Sequence, residues 1–246
     1  MENPPTLRAI PEQTRGLMKT FNVELHCHTY HSGDSLMLPE AILRACERRG
    51  IERVAITDHN SIAGALETAQ LDPERVIVGE EILTTEGEIL GYFLQEEIPA
   101  GLTPEDVVQR LKDQGAVISV SHPFDLTRGC RWNPGTLEGL LSELDALEVF
   151  NARCWSDEPN QKAAALAAEG GIHGTAGSDA HFPLEVGRAY LAMPAFADAK
   201  GFREALAGAR VMGRRSIPLV HLLSRYAVLR KSLGWRPPLR KTARKP

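Results

Sequence analysis

No stretch of this chain approaches the run of about 18 apolar residues that a membrane-spanning helix needs, so an integral helical membrane protein is excluded. Cysteine is scarce: Cys27, Cys46, Cys130 and Cys154 stand alone, none at CxxC spacing. A chain of 246 residues needs no disulfide staples, and four reduced thiols are expected. Basic excess is also missing, because 28 Lys and Arg face 32 Asp and Glu. The net charge of -4 predicts no general affinity for nucleic acid, and no basic groove or aromatic series is visible that would hold a single strand. The first twenty residues contain Pro4, Pro5, Glu12 and Arg15 and lack the apolar core of a signal peptide. The expected location is therefore cytoplasmic, with no membrane partner.

What is present is a chain 43% hydrophobic, enough for one large core. Apolar strand-like runs alternate with helical patterns. Phe21 to Cys27 reads as a strand and Pro39 to Arg49 as a helix, with proline at its first turn and Gly50 as its stop. Two strand runs around Glu86-Gly87 read as a hairpin, and Thr103-Pro104-Glu105-Asp106 opens a capped helix. Strand-helix alternation over this length predicts a parallel sheet, closed or open. Residues 1–20 read as an N-terminal extension and 21–231 as a single domain. Residues 232–246 read as a basic tail with Arg236, Arg240, Lys241, Arg244 and Lys245 and no acid. The tail is expected to be disordered and solvated, or at most to make a weak anionic contact.

Six of the eight histidines (His26, His28, His31, His59, His122 and His181) fall where a strand run ends, the edge at which parallel α/β folds build sites. His173 and His221 sit inside expected elements and read as structural. His26 and His28 are two apart, so strand alternation puts both imidazoles on one face and Cys27 on the other. Ser32 and Asp34 follow them. Thr57-Asp58-His59 comes after the second strand run, Gly79-Glu80-Glu81 after the third, and Ser121-His122-Pro123 and Gly177-Ser178-Asp179-Ala180-His181 after later ones. Unpaired, so many buried carboxylates and imidazoles would cost several kcal/mol each, whereas bound cations would neutralise them. Mixed His and carboxylate ligation suits Zn, Mn or Fe rather than Ca or a thiolate-bound ion.

In this order, HxHxxxSxD, TDH, GxE, HP and GSDxH resemble the motifs of the polymerase and histidinol phosphatase (PHP) family, over about Asn22 to Ala192. The resemblance implies a distorted (β/α)7 barrel of the PHP type over 21–231, with its metal site at the C-terminal ends of the strands. It implies two to three divalent metal ions, Mn, Zn or Fe. His26, His28, Glu81 and Asp179 would surround the first, Glu81 and His122 the second, and Asp34, His59 and His181 a third. The chain departs from the family at Glu88, which stands where a histidine often ligates the second metal. A carboxylate there would favour Mn, Mg or Fe over Zn, and a solvent-facing Glu88 would leave that site partly lost.

The expected reaction is hydrolysis of a phosphate ester, a small phosphomonoester or nucleotide-type substrate, by a metal-activated water. Arginine's planar fork suits the remaining phosphate oxygens. Among Arg128, Arg131, Arg153 and Arg188, the first choice is Arg153 and the second Arg128. His31 is a possible helper that could protonate a leaving group. Two other readings stand beside this one: a metal hydrolase acting on a non-phosphate bond, such as an amide, and a catalytically weak metal-binding PHP module.

Overall fold

Strand β1 (Thr20–Glu24) buries Phe21 and Val23 against helix-covered neighbours, and the rest of the sheet grows outward from it. The computed structural model describes residues 19–129 and 131–238. Helix α1 (Pro39–Arg49) begins on Pro39 and buries Ile42, Ala45 and Cys46, the i, i+3, i+4 positions of one face. It stops at Gly50, whose φ of 64° is left-handed backbone that glycine adopts without strain. Strand β2 (Arg53–Ile56), helix α2 (Ala63–Ala69) and strand β3 (Val76–Leu83) follow, and β1, β2 and β3 pair in parallel.

The βα alternation breaks at the expected hairpin. Strand β4 (Glu88–Tyr92) runs antiparallel to β3, and the turn between them is tied by Thr84, whose N–H donates to the Gly87 carbonyl at 2.8 Å. Helix α3 (Pro104–Asp113) then leads to β5 (Val117–Val120), antiparallel to β4. Thr103 caps α3 by accepting from Asp106 N–H at 3.2 Å. Helix α4 (Pro134–Leu140) and a 3-10 turn (Leu141–Glu143) precede β6 (Ala146–Asn151). Helix α5 (Glu158–Gly170) precedes β7 (His173–Gly177), and β5, β6 and β7 are parallel again. Strand β8 (Ala189–Pro194), helix α6 (Ala199–Leu206), strand β9 (Arg210–Gly213) and helix α7 (Leu219–Ser232) complete the chain order.

The sheet runs β7-β6-β5-β4-β3-β2-β1-β8-β9, so β1 to β7 lie in chain order and the antiparallel β8 and β9 add beside β1. Beyond the last residues of β1 and β7, a parallel bridge between Cys27 and Ala180 joins the two sides. His28 N–H donates to the Ala180 carbonyl at 2.9 Å and Ala180 N–H to the His26 carbonyl at 3.1 Å. The result is a mixed α/β barrel, nearly closed, whose seam lies at the C-terminal ends of the strands. Strand β5 is buried along its whole length, as expected of a strand covered on both faces. One apolar cluster fills the barrel around Val23, Leu90, Tyr92, Val117 and Leu191, and two others seat α1 with α2 and α3 with α5 against the sheet.

The structure differs from the sequence reading in three places. Val76 to Leu83 is one eight-residue strand rather than two, because Gly79-Glu80-Glu81 continues the pairing with β4. Strand β9 has no buried residue and therefore no alternation to announce it. Helix α4 is seven residues long and carries too short a pattern to read. Cys27, Cys46 and Cys154 are buried and unpaired, while Cys130 lies outside the described residues. Of the basic tail, Ser232 ends α7 and Trp235 packs edge-on to Tyr30 at 6.3 Å, while residues 239–246 lie outside the described residues, as do 1–18 of the N-terminal extension.

Candidate metal centre

The seam places two of the sequence motifs side by side. His26 and His28 leave β1 on one face, and Asp179 and His181 leave β7 opposite them; all four are buried. His28 Nε2 lies 3.3 Å from Asp179 Oδ1 and 3.4 Å from Glu81 Oε2, while His26 Nε2 lies 3.2 Å from the same Glu81 oxygen. Glu81 reaches in from β3, and its other oxygen is 3.0 Å from His122 Nε2, just after β5. His59 Nδ1 is 3.0 Å from Glu81 Oε2, and His181 Nε2 is 2.9 Å from Asp34 Oδ2. Glu88, at the start of β4, points inward: its oxygens lie 3.7 Å from His59 Nδ1 and 3.6 Å from His122 Nε2. All nine expected ligands thus converge, Glu88 included. Glu80, its side chain on the other face of β3, accepts from Ile98 N–H at 3.0 Å.

A second layer fixes the rings. Glu148 on β6 accepts from His26 Nδ1 at 3.0 Å, and its other oxygen accepts from His122 N–H at 2.9 Å and Asn151 Nδ2 at 3.0 Å. A carboxylate can only accept here, so Nδ1 of His26 carries a proton and Nε2 faces the cluster. His28 Nδ1 donates to Ser32 Oγ at 3.0 Å, and that hydroxyl donates to Asp58 Oδ1 at 2.6 Å. Asp58 also accepts from Thr29 N–H at 2.7 Å and Thr29 Oγ1 at 2.6 Å. This close packing explains Gly64 in α2, where a Cβ would stand 2.0 Å from Asp58 Oδ2. His122 and Asp179 hold φ of 27° and 51°, left-handed backbone that costs a non-glycine residue energy and recurs at functional sites.

The charges are interlocked. Burial works to lower the pKa of His26, but Glu81, Asp179 and Glu148 outweigh it and hold it well above the ordinary value. Burial, with the rings of His181 and His59, pushes His28 down to about 3, which keeps it neutral. Burial would raise Asp179, yet Arg128 and His26 pull it well below the usual carboxylate range. Among the buried atoms without a hydrogen-bond partner, six belong to these residues: His26 Nε2, His28 Nε2, His181 Nε2, Asp34 Oδ1, Glu81 Oε2 and Asp179 Oδ1. Imidazole nitrogens and carboxylate oxygens without hydrogen-bond partners are the donor set of divalent transition metals, and a bound cation would displace the proton that His26 otherwise keeps on Nε2. Four overlapping triads lie within metal-ligand reach: His26, His28 and Glu81; His26, His122 and Asp179; His28, His59 and His181; His59, Glu81 and Glu88.

Both arginines chosen for phosphate touch ligands of the cluster. Arg153, the first choice for phosphate, is 3% exposed and committed: Nη1 lies 2.6 Å from His181 Nδ1, Nη2 donates to Ser224 Oγ at 2.8 Å and the Val220 carbonyl at 3.3 Å, and Nε lies 3.4 Å from Glu185. It ties α7 to the barrel because its strand end lies directly beneath that helix. Arg128 borders the cluster from the cleft side, with Nη2 on Asp179 Oδ2 and Nε 3.1 Å from Asp125 Oδ2. It lines a cleft with His59, Glu88 and Thr84. Arg188 donates to the Arg215 carbonyl, and Arg131 lines a second cleft with His122 and Trp132. His31 is not brought in: the turn at Thr29–Ser32 aims its Nε2 at Glu67, 2.9 Å away. Of the two histidines read as structural, His221 stacks on Trp155 at 4.4 Å and His173 is exposed. Sequence reasoning missed Glu148 and Asn151, although a single carboxylate inside the apolar run Ala146–Phe150 was a usable signal.

Comparison with known proteins locates these motifs in recognised segments. Residues 24–85, which hold His26, His28, Asp34, His59 and Glu81, match the family model described as PHP domain. Residues 157–211, which hold Asp179 and His181, match the one described as PHP-associated. Two uncharacterised proteins of Methanocaldococcus jannaschii are 43% identical over 142 residues, covering 52% of this chain and 81% of that protein, and 41% identical over 172 residues, covering 69% of each. Among solved structures, a two-domain protein of Bacteroides vulgatus, named as containing a predicted PHP-like metal-dependent phosphoesterase, superposes with a TM-score of 0.65 at 18% identity. The match covers 80% of this chain and 66% of that one. PsfC of Pseudomonas syringae gives 0.63 at 18% identity, covering 88% and 100%. An amidohydrolase of Chromobacterium violaceum with bound sulfate gives 0.54 at 16%, covering 83% and 96%. At these identities the structural likeness is one of fold.

Proposed function

Because this chain belongs to the PHP family, with its mixed, nearly closed α/β barrel, we propose that it is a metal-dependent hydrolase of phosphate esters. The observation that carries the reading is the gathering of His26, His28, His59, Glu81, Glu88, His122, Asp179 and His181 into overlapping ligand triads with buried, unpartnered atoms among them. In this reading His26, His28, Glu81 and Asp179 hold one divalent ion, Glu81, His122 and Glu88 a second, and Asp34, His59 and His181 a third. Bound ions of this kind supply Lewis-acid charge for the phosphoryl oxygens and lower the pKa of a water into the neutral range.

The chain's own residues do the rest. Glu148 and Ser32 hold His26 and His28 in the tautomer that presents Nε2. Arg128, paired with Asp179 and Asp125, brings a guanidinium to the edge of the cluster, where its charge would favour a phosphate oxygen bound beside Asp179. Glu88 in place of an imidazole makes the second position harder and more anionic, which favours Mn or Fe. The chain shows no basic groove or aromatic series that would hold a strand, which favours a small phosphomonoester or nucleotide-type substrate over a long polymer.

The test is metal analysis of purified protein together with phosphate release across nucleotides and sugar phosphates, with Mn, Fe or Zn supplied. More than one equivalent of metal and metal-dependent phosphate release are expected. Bound metal with release from amides but no phosphate ester would move the activity to another bond, and no metal uptake at all would overturn the centre itself.

A further inference from the structure

Helix α7 packs one face on the barrel and leaves another uncovered. Val220 and Ala227 are buried, Ser224 accepts from Arg153, and Lys231 Nζ donates to the carbonyls of Tyr30 and Ser32. These anchors seat the helix on the loops after β1 and β6, at the end of the barrel that carries the cluster. Leu219, Leu222, Tyr226, Leu229 and Leu233 point the other way and are between 51% and 74% exposed. Their spacing alternates three and four, which on a helix makes one continuous apolar stripe. By the same periodicity Arg225 borders the stripe on one side and Arg230 on the other, and the helix contains no acid.

The charge around the stripe is unusual for this chain. Residues 205–246 hold eleven of the 28 Lys and Arg and none of the 32 Asp and Glu, although the whole protein is net negative. Seven of those eleven lie among the described residues. A second copy is a poor occupant, since two such helices would set arginine against arginine with no carboxylate to pair them. An anionic bilayer surface matches both halves of the pattern: apolar side chains enter the acyl boundary while flanking arginines stay with the headgroups. We propose that the α7 stripe is a peripheral docking surface for membranes rich in anionic lipid. No helix among the described residues is long and apolar enough to cross a membrane, so the contact would lie in the interface plane.

The experiment is vesicle sedimentation of the full chain with phosphatidylcholine alone and with phosphatidylcholine mixed with phosphatidylglycerol. The wild type should sediment with the anionic vesicles only, and less so at high salt. L222S/L229S and R225E/R230E should each weaken that binding on the order of tenfold or more while leaving thermal unfolding unchanged, because all four side chains are exposed. Absence of binding to anionic vesicles would overturn the proposal, as would undiminished binding of L222S/L229S, which would reduce the contact to bulk charge. A wild-type dimer in light scattering that L222S/L229S abolishes would assign the stripe to a second copy. Retention on immobilised polyglutamate without vesicle binding would assign it to an acidic protein.

Discussion

Replacing Glu148 with glutamine should uncouple the fold from the metal centre. In the wild type one carboxylate oxygen accepts from His26 Nδ1 at 3.0 Å, and the other accepts from His122 N–H at 2.9 Å and Asn151 Nδ2 at 3.0 Å. A glutamine of the same shape has one accepting oxygen. Turned toward His122 and Asn151, it keeps two bonds and presents its NH2 to His26, whose Nδ1 must then accept. The imidazole proton moves to Nε2, which sits 3.2 Å from Glu81 Oε2, and the lone pair that a metal would use is gone. The opposite rotamer sets NH2 against the His122 N–H, so neither orientation rescues the arrangement. Losing a buried orienting partner typically weakens metal affinity or activity about 10–100-fold, and E148Q should show that loss with Tm nearly unchanged. E148A instead strands three buried donors at about 1–3 kcal/mol each, so Tm should fall by roughly 6–36 °C for a domain of this size. Metal titration, phosphate release and thermal unfolding of both variants check the argument. Wild-type metal affinity and turnover in E148Q would refute it.

Glu88→Ala should slow turnover on the order of a hundredfold by weakening the second metal position, while Glu88→His should retain activity and shift preference toward Zn; steady-state rates with metal counts decide, and near-wild-type rates in both would remove Glu88 from the centre. Arg128→Ala should raise KM for phosphate esters with little change in Tm, whereas Arg153→Ala should lower Tm and loosen α7, since its bonds run to Val220 and Ser224; KM and Tm measured on the pair would expose an exchange of roles. Burial pushes Glu80 up to about 8 from its ordinary 4.5. The folded state thus holds a proton that the unfolded chain releases, and wild-type stability should fall relative to E80Q as pH rises from 5 through 8. Denaturant unfolding across that range tests the sign.

How much of this was legible in the sequence depends on what kind of information each residue carries. Strand alternation put His26 and His28 on one face with Cys27 on the other, because that relation is local, whereas Glu81 was picked out from Glu80 by the GxE pattern of the resemblance. The position of a polar residue at a strand's end was equally readable. What lies behind the strand end was not. Arg153 and Arg128 both follow strand runs, and nothing local distinguishes the one enclosed by Glu185, Ser224 and α7 from the one that reaches Asp179. Glu148 resembles a packing error in an apolar strand until β1 and β5 bring His26 and the His122 amide to its two oxygens. The structural distinction is one of satisfaction: a buried polar group whose every bond is met by protein braces its neighbours, whereas one that keeps an unmet atom turned toward other unmet atoms is placed to ligate. By that criterion Glu148 is a brace. Glu88, 3.6 Å from His122 and 3.7 Å from His59, lies among the groups placed to ligate, the assignment that its substitution by histidine puts to the test.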